Sequence, residues 1–243
     1  EWNNVKISEE IIALRIEKAK IFGYDTSAEM ILKDRMAKNP TAVYALLDAV
    51  WKPAVRKLSE EIADIRQEMK ADGINEEPQG WDIMYYQTRV KAKKFHIDER
   101  QISEYFTTEN VLKGIFHVAS QLYGLHFKEI TSEVPAYEPS AQAWLVTDSE
   151  GKDIAIFYSD YYPRDGKGAG AWMTEFRQQS YDAEGKRTIP IIVNVCNMTK
   201  PASGQPALQS FDNVLTMFHE FGHALHYMLH DVHYNAIYNC ERD

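Results

Sequence analysis

Apolar residues recur at helical three-and-four spacing through the first half of the chain and change to alternation in the second, which predicts a helical region followed by a small sheet. From Glu9 to Ile21, the residues Ile11, Ile12, Leu14, Ile16 and Ala19 mark one helix, and Gly23 supplies its left-handed stop. Thr26 and Glu29 stand at capping-box spacing and open a second helix reaching about Ala37. Asn39 and Pro40 read as the cap and first position of a long third helix to about Met69, ended by Gly73, with a kink expected at Pro53. Beyond the polar linker "GINEEPQG", segments around 82–95, 98–105 and 108–123 again have helical spacing.

After Pro135 the runs "AQAWLVTD" and "DIAIFYSD" flank the turn "SEGK" and read as a β-hairpin, and "IPIIVNVCN" reads as a third strand. The expected fold is mainly α with a small antiparallel sheet (α+β), three strands or slightly more. A helical region, residues 1–134, precedes residues 135–243 with the sheet and a last, histidine-rich helix; the two are expected to form one continuous portion rather than independent domains.

Composition narrows the class. With 44% hydrophobic and 26% charged residues the chain is globular, and without an apolar run near the roughly 18 residues of a membrane helix no span is expected. The formal net charge of −9 is spread among interleaved acids and bases, which argues against nucleic acid; Lys91, Lys93 and Lys94 read as a solvated helix face. Cys196 and Cys240 are too few for a disulfide framework, which fits a reducing compartment; a cytoplasmic location is expected, with export as the alternative because the natural N-terminus is not seen. The opening "EWNNVKISEE" has neither an initiator Met nor a signal pattern, and a central fragment is expected.

Candidate chemistry concentrates in "FHEFGHALH", where His219, Glu220 and His223 form H-E-x-x-H. On a helix, residues four apart stack one turn above each other, so two imidazoles converge on one ion with the carboxylate beside the open coordination position. That geometry suits zinc, which in catalytic sites takes three protein ligands and leaves a place for water, with Glu220 as general base. The apolar residues Val214, Leu215, Met217, Phe218, Phe221, Leu225 and Leu229 predict a helix buried over most of its circumference. His226 and His230 continue the stripe, but the metzincin pattern needs Gly at 226 and His at 229, where this chain has His226 and Leu229. His226 is therefore expected as a hydrogen-bonding neighbour of the site, and His230 and His233 as solvated or structural. For a third ligand the chain offers only Asp231, too near on the same helix, and Glu241 and Asp243 at its end.

At this point the sequence resembles the thimet oligopeptidase family of zinc peptidases, and within it the bacterial peptidyl-dipeptidase branch. The resemblance rests on "RIEKAKIFGYDTSAE", "MAKNP", "WDIMYYQTRVKAKKFHID", "YFTTENVLKGIFHVASQLYG", "IFYSDYYPRDGKGAGAWM" and "NVCNMTKPASGQPALQSFDNVLTMFHEFGHALH". It implies a zincin-like architecture, one Zn2+ on His219 and His223, and Glu220 as catalytic base. The family's third ligand is a Glu in an R-D-F-x-E segment; the closing "ERD" aligns Arg242 and Asp243 with its start, which puts the ligand beyond Asp243 and leaves Glu241 a weaker substitute. The stretch "HDVHYNAIYNC" departs from the glycine-containing pattern of the family there. Gly166, Gly168 and Ala171 loosely fit a nucleotide-binding spacing, but no helix or acidic ribose partner follows. A mobile loop beside the substrate cleft, with Gly168, Gly170 and Ala171 as candidate substrate or supporting residues, fits the family better. Arg164 and Lys167 are left open between a substrate carboxylate and a structural ion pair. The implied activity is hydrolysis of short, unstructured peptides, with release of C-terminal dipeptides. Its alternatives are endo-acting cleavage or, for these residues alone, a non-catalytic helical scaffold with an incomplete zinc site.

Overall fold

A computed structural model describes residues 4–96, 98–201 and 204–234. The chain divides into two compact units, residues 1–97 and 98–243.

The first unit holds four helices, α1 (Asn4–Ile21), α2 (Ser27–Leu32), α3 (Pro40–Ala71) and α4 (Gly80–Phe95). The Thr26 hydroxyl accepts from the Glu29 amide and the Glu29 carboxylate accepts from the Thr26 amide, both at 3.1 Å, so the capping box forms as the spacing predicts. Helix α2 stops short of Ala37 because α3 needs an extended cap at Asn39 (φ −155°, ψ 160°), which the chain reaches through a left-handed Lys38 (φ 65°). The Asn39 side chain accepts from the Ala42 amide at 2.9 Å, Pro40 occupies the first turn, and α3 continues through Pro53 to Ala71. Replacing Asn39 with Ala should destabilise this unit by about 0.5–2 kcal/mol, read as an earlier urea midpoint, because the first-turn amides lose their acceptor. Helices α3 and α4 pack through Ile65, Met69 and Tyr86, backed by Ile62, Ile83 and Val90. Ion pairs flank that seam, Lys93 with Glu68 at 2.7 Å and Arg89 with Asp72.

The second unit runs α5 (Glu99–Ser103), α6 (Thr108–Tyr123), β1 (His126–Glu129), β2 (Gln142–Thr147), β3 (Asp153–Asp160), β4 (Trp172–Arg177), β5 (Ser180–Tyr181), β6 (Arg187–Thr188), β7 (Ile191–Val195) and α7 (Phe211–Met228). Five strands form one sheet in the order β1-β2-β3-β7-β4, and β5 and β6 form a small ribbon. The hairpin β2–β3 forms as predicted, with Gly151 at φ 82° and the Asp148 carboxylate accepting from the amides of Glu150 and Lys152, each at 2.9 Å. The sheet is not purely antiparallel, however: β7 pairs with β3 in parallel, Ile156 opposite Ile191 through Asp160 opposite Val195. The expected antiparallel sheet is therefore corrected to a mixed one. The physical reason is the long excursion from residue 161 to 190, which brings β7 back in the direction of β3 and between it and β4. The sheet also begins earlier than Pro135, because β1 is the short, largely polar run "HFKE", whose alternation carries little signal. Helix α6 belongs with the sheet, so the units divide near residue 97 where the sequence suggested a change of architecture near 135.

One sheet face, with Val146, Ala155, Phe157 and Ile192, packs against Val111, Leu112 and Ile115 of α6 and Val214, Met217 and Phe221 of α7. Phe116 stacks on Phe127 at 4.0 Å between centroids, and Phe157 meets Phe221 edge-on at 5.4 Å. The opposite face is a smaller cluster of Ile130, Ala143, Tyr158, Val193 and Val195.

Candidate metal centre

Helix α7 starts at Ser210, whose hydroxyl accepts from the Asn213 amide at 3.2 Å. The residue before it, Gln209, is fully buried: its amide nitrogen donates to the Thr108 hydroxyl at 2.8 Å and the Thr199 carbonyl at 3.1 Å, while its oxygen accepts from Asn213 Nδ2 at 2.9 Å. The start of α7 is thus tied to the start of α6. Val214, Met217, Phe221, Ala224 and Met228 then seat one face of the helix on the sheet at three-and-four spacing. The opposite face is open, with Leu215 53% and Phe218 37% exposed, so the helix is half-covered rather than buried around most of its circumference.

This seating presents the motif. His219 is exposed, His223 half-buried and Glu220 buried. The two Nε2 atoms lie 3.2 Å apart, with the ring planes at 85°. Two imidazole nitrogens bound to one tetrahedral zinc at ordinary bond lengths would stand about 3.3 Å apart, so the pair fits a shared ion. Among the described residues, no group of three or more His, Cys, Asp or Glu is placed to hold a metal. Glu241, Arg242, Asp243 and Cys240 lie outside the described residues.

The remaining candidates fall in two places. His226 is exposed, its ring centroid 4.5 Å from that of His230. The segment after α7 is strapped to the β5–β6 ribbon: Tyr181 donates to the Asp231 carboxylate at 2.5 Å, Arg187 to the His230 carbonyl at 2.8 Å, and the Val232 amide to Gln179 Oε1 at 2.9 Å. His233 stacks on Tyr181 at 4.5 Å. His230 and His233 thus have structural settings, and burial, with His226 adding to it, lowers the pKa of His230.

Gly168, Gly170 and Ala171 stand in the loop that leads into β4, the edge strand that packs beside α7. No helix opens after these glycines, which removes the nucleotide reading. The loop read as mobile is anchored at both ends. At its start Asp160, 1% exposed in its side chain, accepts from Arg164 at 2.8 and 3.0 Å, from Lys167 at 2.9 Å and from the Tyr137 hydroxyl at 2.7 Å. Burial alone would raise the Asp160 pKa, but the hydrogen bonds from Arg164, Lys167 and Tyr137 hold it below the ordinary carboxylate value. Lys167 also donates to the carbonyls of Asp160 at 3.0 Å and Tyr162 at 2.8 Å, so both basic side chains of the loop are engaged in a structural ion cluster. At the far end Asn197 Nδ2 donates to the carbonyls of Gly168 at 2.9 Å and Gly170 at 2.8 Å.

Two residues of β7 and its extension reach the motif. Asn194 Nδ2 donates to the Glu220 carbonyl at 2.8 Å. Cys196 is fully buried; burial, then the negative charge of Glu220, pushes its thiol up to about 12. The thiol is therefore protonated throughout the neutral range. Peptide mapping after iodoacetamide at pH 8 should find Cys196 unmodified in the native chain and alkylated in denaturant. The polar residue inside the apolar run "IIVNVCN" is the one sequence signal that points to Asn194; Asp160, Gln179 and Asn197 carry none.

The profile of peptidase family M3 matches residues 1–243. The chain belongs to peptidase family M3. Its M3 relatives include the dipeptidyl carboxypeptidase of Salmonella typhimurium, 39% identical over 90% of this chain and 32% of the relative, and that of Escherichia coli, 38% identical over 90% and 32%. Oligopeptidase A of Escherichia coli is 36% identical over 94% of this chain and 34% of its own length. The chain thus spans about a third of the M3 relatives it matches. Among the described residues, no helix is long and apolar enough to cross a membrane.

Proposed function

We propose that the polypeptide carrying this chain is a zinc-dependent M3 peptidase acting on short, unstructured peptides. The observation that carries the reading is the convergence of His219 and His223 on one face of α7, 3.2 Å apart, with Glu220 between them in sequence. His219 and His223 would hold the zinc, with a third ligand from outside the described residues. When bound, the ion acts as a Lewis acid that acidifies water and polarises the scissile carbonyl. Glu220 takes the proton of the attacking water and returns it to the leaving amine, the two transfers that general base and general acid catalysis require of one carboxylate. Edge strand β4, beside α7, offers backbone groups to an extended peptide.

Release of C-terminal dipeptides is the proposed mode, supported by the relatives called dipeptidyl carboxypeptidase at 38% and 39% identity. Similarity to oligopeptidase A supports endo-acting cleavage as a second reading. Arg164 and Lys167, both engaged with Asp160, are not proposed to bind the substrate C-terminus. Mass-spectrometric sizing of products from matched peptides with free and amidated C-termini tests the mode: dipeptides from the free peptide alone support the first reading, and equal cleavage of both peptides sinks it. The alternative of a non-catalytic scaffold is tested by zinc titration of residues 1–243 beside the whole polypeptide. Weak zinc binding by both would leave the scaffold reading standing.

A further inference from the structure

The Asn194 side chain is fully buried in strand β7, and its two polar atoms have different settings. Nδ2 donates to the Glu220 carbonyl at 2.8 Å, whereas Oδ1 has no hydrogen-bond partner among the described residues. A buried amide with one unpaired end is a net burden on the fold, since an apolar side chain of the same shape would avoid the desolvation penalty. Such departures from full pairing concentrate where function demands them. The carbonyl it reaches lies within α7, in the turn that carries the putting-together of His219, Glu220 and His223, so the contact acts on the backbone of the general base itself.

Three residues further on, Asn197 makes the matching contact on the other side, gripping Gly168 and Gly170 just before β4. Within this stretch and just past it, the chain stays locked to β3 and its extension: the Cys196 amide donates to the Asp160 carbonyl at 2.9 Å and, one residue beyond Asn197, the Met198 amide to the Tyr161 carbonyl at 2.7 Å. The stretch 194–197 is therefore a rigid rule with one side-chain amide on the helix and one on the loop.

We propose that Asn194 and Asn197 are positioning residues that set the motif helix and the loop before β4 relative to each other, Asn194 fixing the Glu220 turn and Asn197 fixing the start of the edge strand. The inference rests on the peptidase reading above. It predicts a division of labour. An error in the Glu220 turn misplaces the base against the reacting carbonyl and lowers kcat, whereas an error in the loop weakens the hold on the peptide and raises KM.

The test uses the whole polypeptide that carries residues 1–243, with Asn194→Leu, Asn194→Ala and Asn197→Ala measured beside the unsubstituted protein. Thermal midpoint, zinc affinity by titration, kcat and KM for a quenched fluorescent peptide are read for each. Asn194→Leu is expected to keep or raise the thermal midpoint and to keep zinc affinity while kcat falls about 10- to 100-fold. Asn197→Ala is expected to raise KM at least about tenfold more than it lowers kcat. Unchanged kcat in a folded Asn194→Leu or Asn194→Ala protein overturns the proposal, as does a loss of kcat that only tracks a fall in thermal midpoint. If the unsubstituted protein shows no zinc-dependent cleavage, the peptidase reading and this inference fail together; if it cleaves and the Asn194 variants match it, only this inference fails.

Discussion

Glu220→Gln in the polypeptide that carries this chain should lower kcat by about 10²- to 10⁴-fold while zinc still binds, because the amide keeps the shape of the carboxylate but cannot accept a proton. Glu220 lies buried on α7, and its backbone carbonyl already receives the Asn194 amide as well as belonging to the helix, so the substitution leaves the turn in place. Zinc content by atomic absorption and turnover of a short peptide, measured on the same preparation, give the two readouts. Normal turnover with zinc bound would remove Glu220 from the chemistry. Loss of both zinc and turnover would instead make Glu220 a contributor to the metal site.

Asp160→Ala should destabilise the second unit by about 3–5 kcal/mol, since it strips the anion from a buried cationic group. The Lys167 side chain is 2% exposed and, among the described residues, would keep only the carbonyls of Asp160 and Tyr162. Arg164, more exposed, would retain Glu138 at 3.3 Å. Urea unfolding followed by circular dichroism measures the effect, and a shift under about 1 kcal/mol would show that water reaches Lys167 and screens it. The pH dependence has a definite sign. The native carboxylate titrates below its unfolded value of about 3.9, so its stabilisation is complete above that pH and fades as pH falls through the lower native value. The gap between wild type and Asp160→Asn should therefore be constant from neutral pH to about 4.5 and narrow only below it.

Periodicity and capping chemistry made most of the helices legible. The Thr26–Glu29 box and the Asn39–Pro40 start both form, because each satisfies helix-terminal amides with side chains only a few residues away. The β2–β3 hairpin was legible for the same reason, since its turn is closed locally by Asp148 and Gly151. The parallel pairing of β7 with β3 was not, because it is decided by contacts between segments thirty-five residues apart, as Ile156 and Ile191 are, and no local pattern records direction. The motif His219–Glu220–His223 stood out as spacing on one helix. The residues around it did not: Asn194 reaches Glu220 across 26 positions and Gln209 reaches Thr108 across 101. A polar residue in an apolar strand run hints at such a contact but does not name its partner.

The link between Gln209 and Thr108 also governs the order in which the molecule can assemble. The Thr108 amide donates to the Ala207 carbonyl at 3.0 Å, and the Phe106 carbonyl accepts from the Gln209 amide at 2.8 Å, so the base of α7 is stitched to the base of α6 across about a hundred residues of intervening sheet. Closing so long a loop is entropically expensive, and contacts of that separation belong to slow steps of folding. The hairpin β2–β3 is closed by a local turn, whereas the seat of α7 is built from strands and a helix far apart in the sequence. The pairing of His219 with His223, by contrast, is set within one turn of α7, so the long loop fixes the seat of the helix and not the spacing of its two imidazoles.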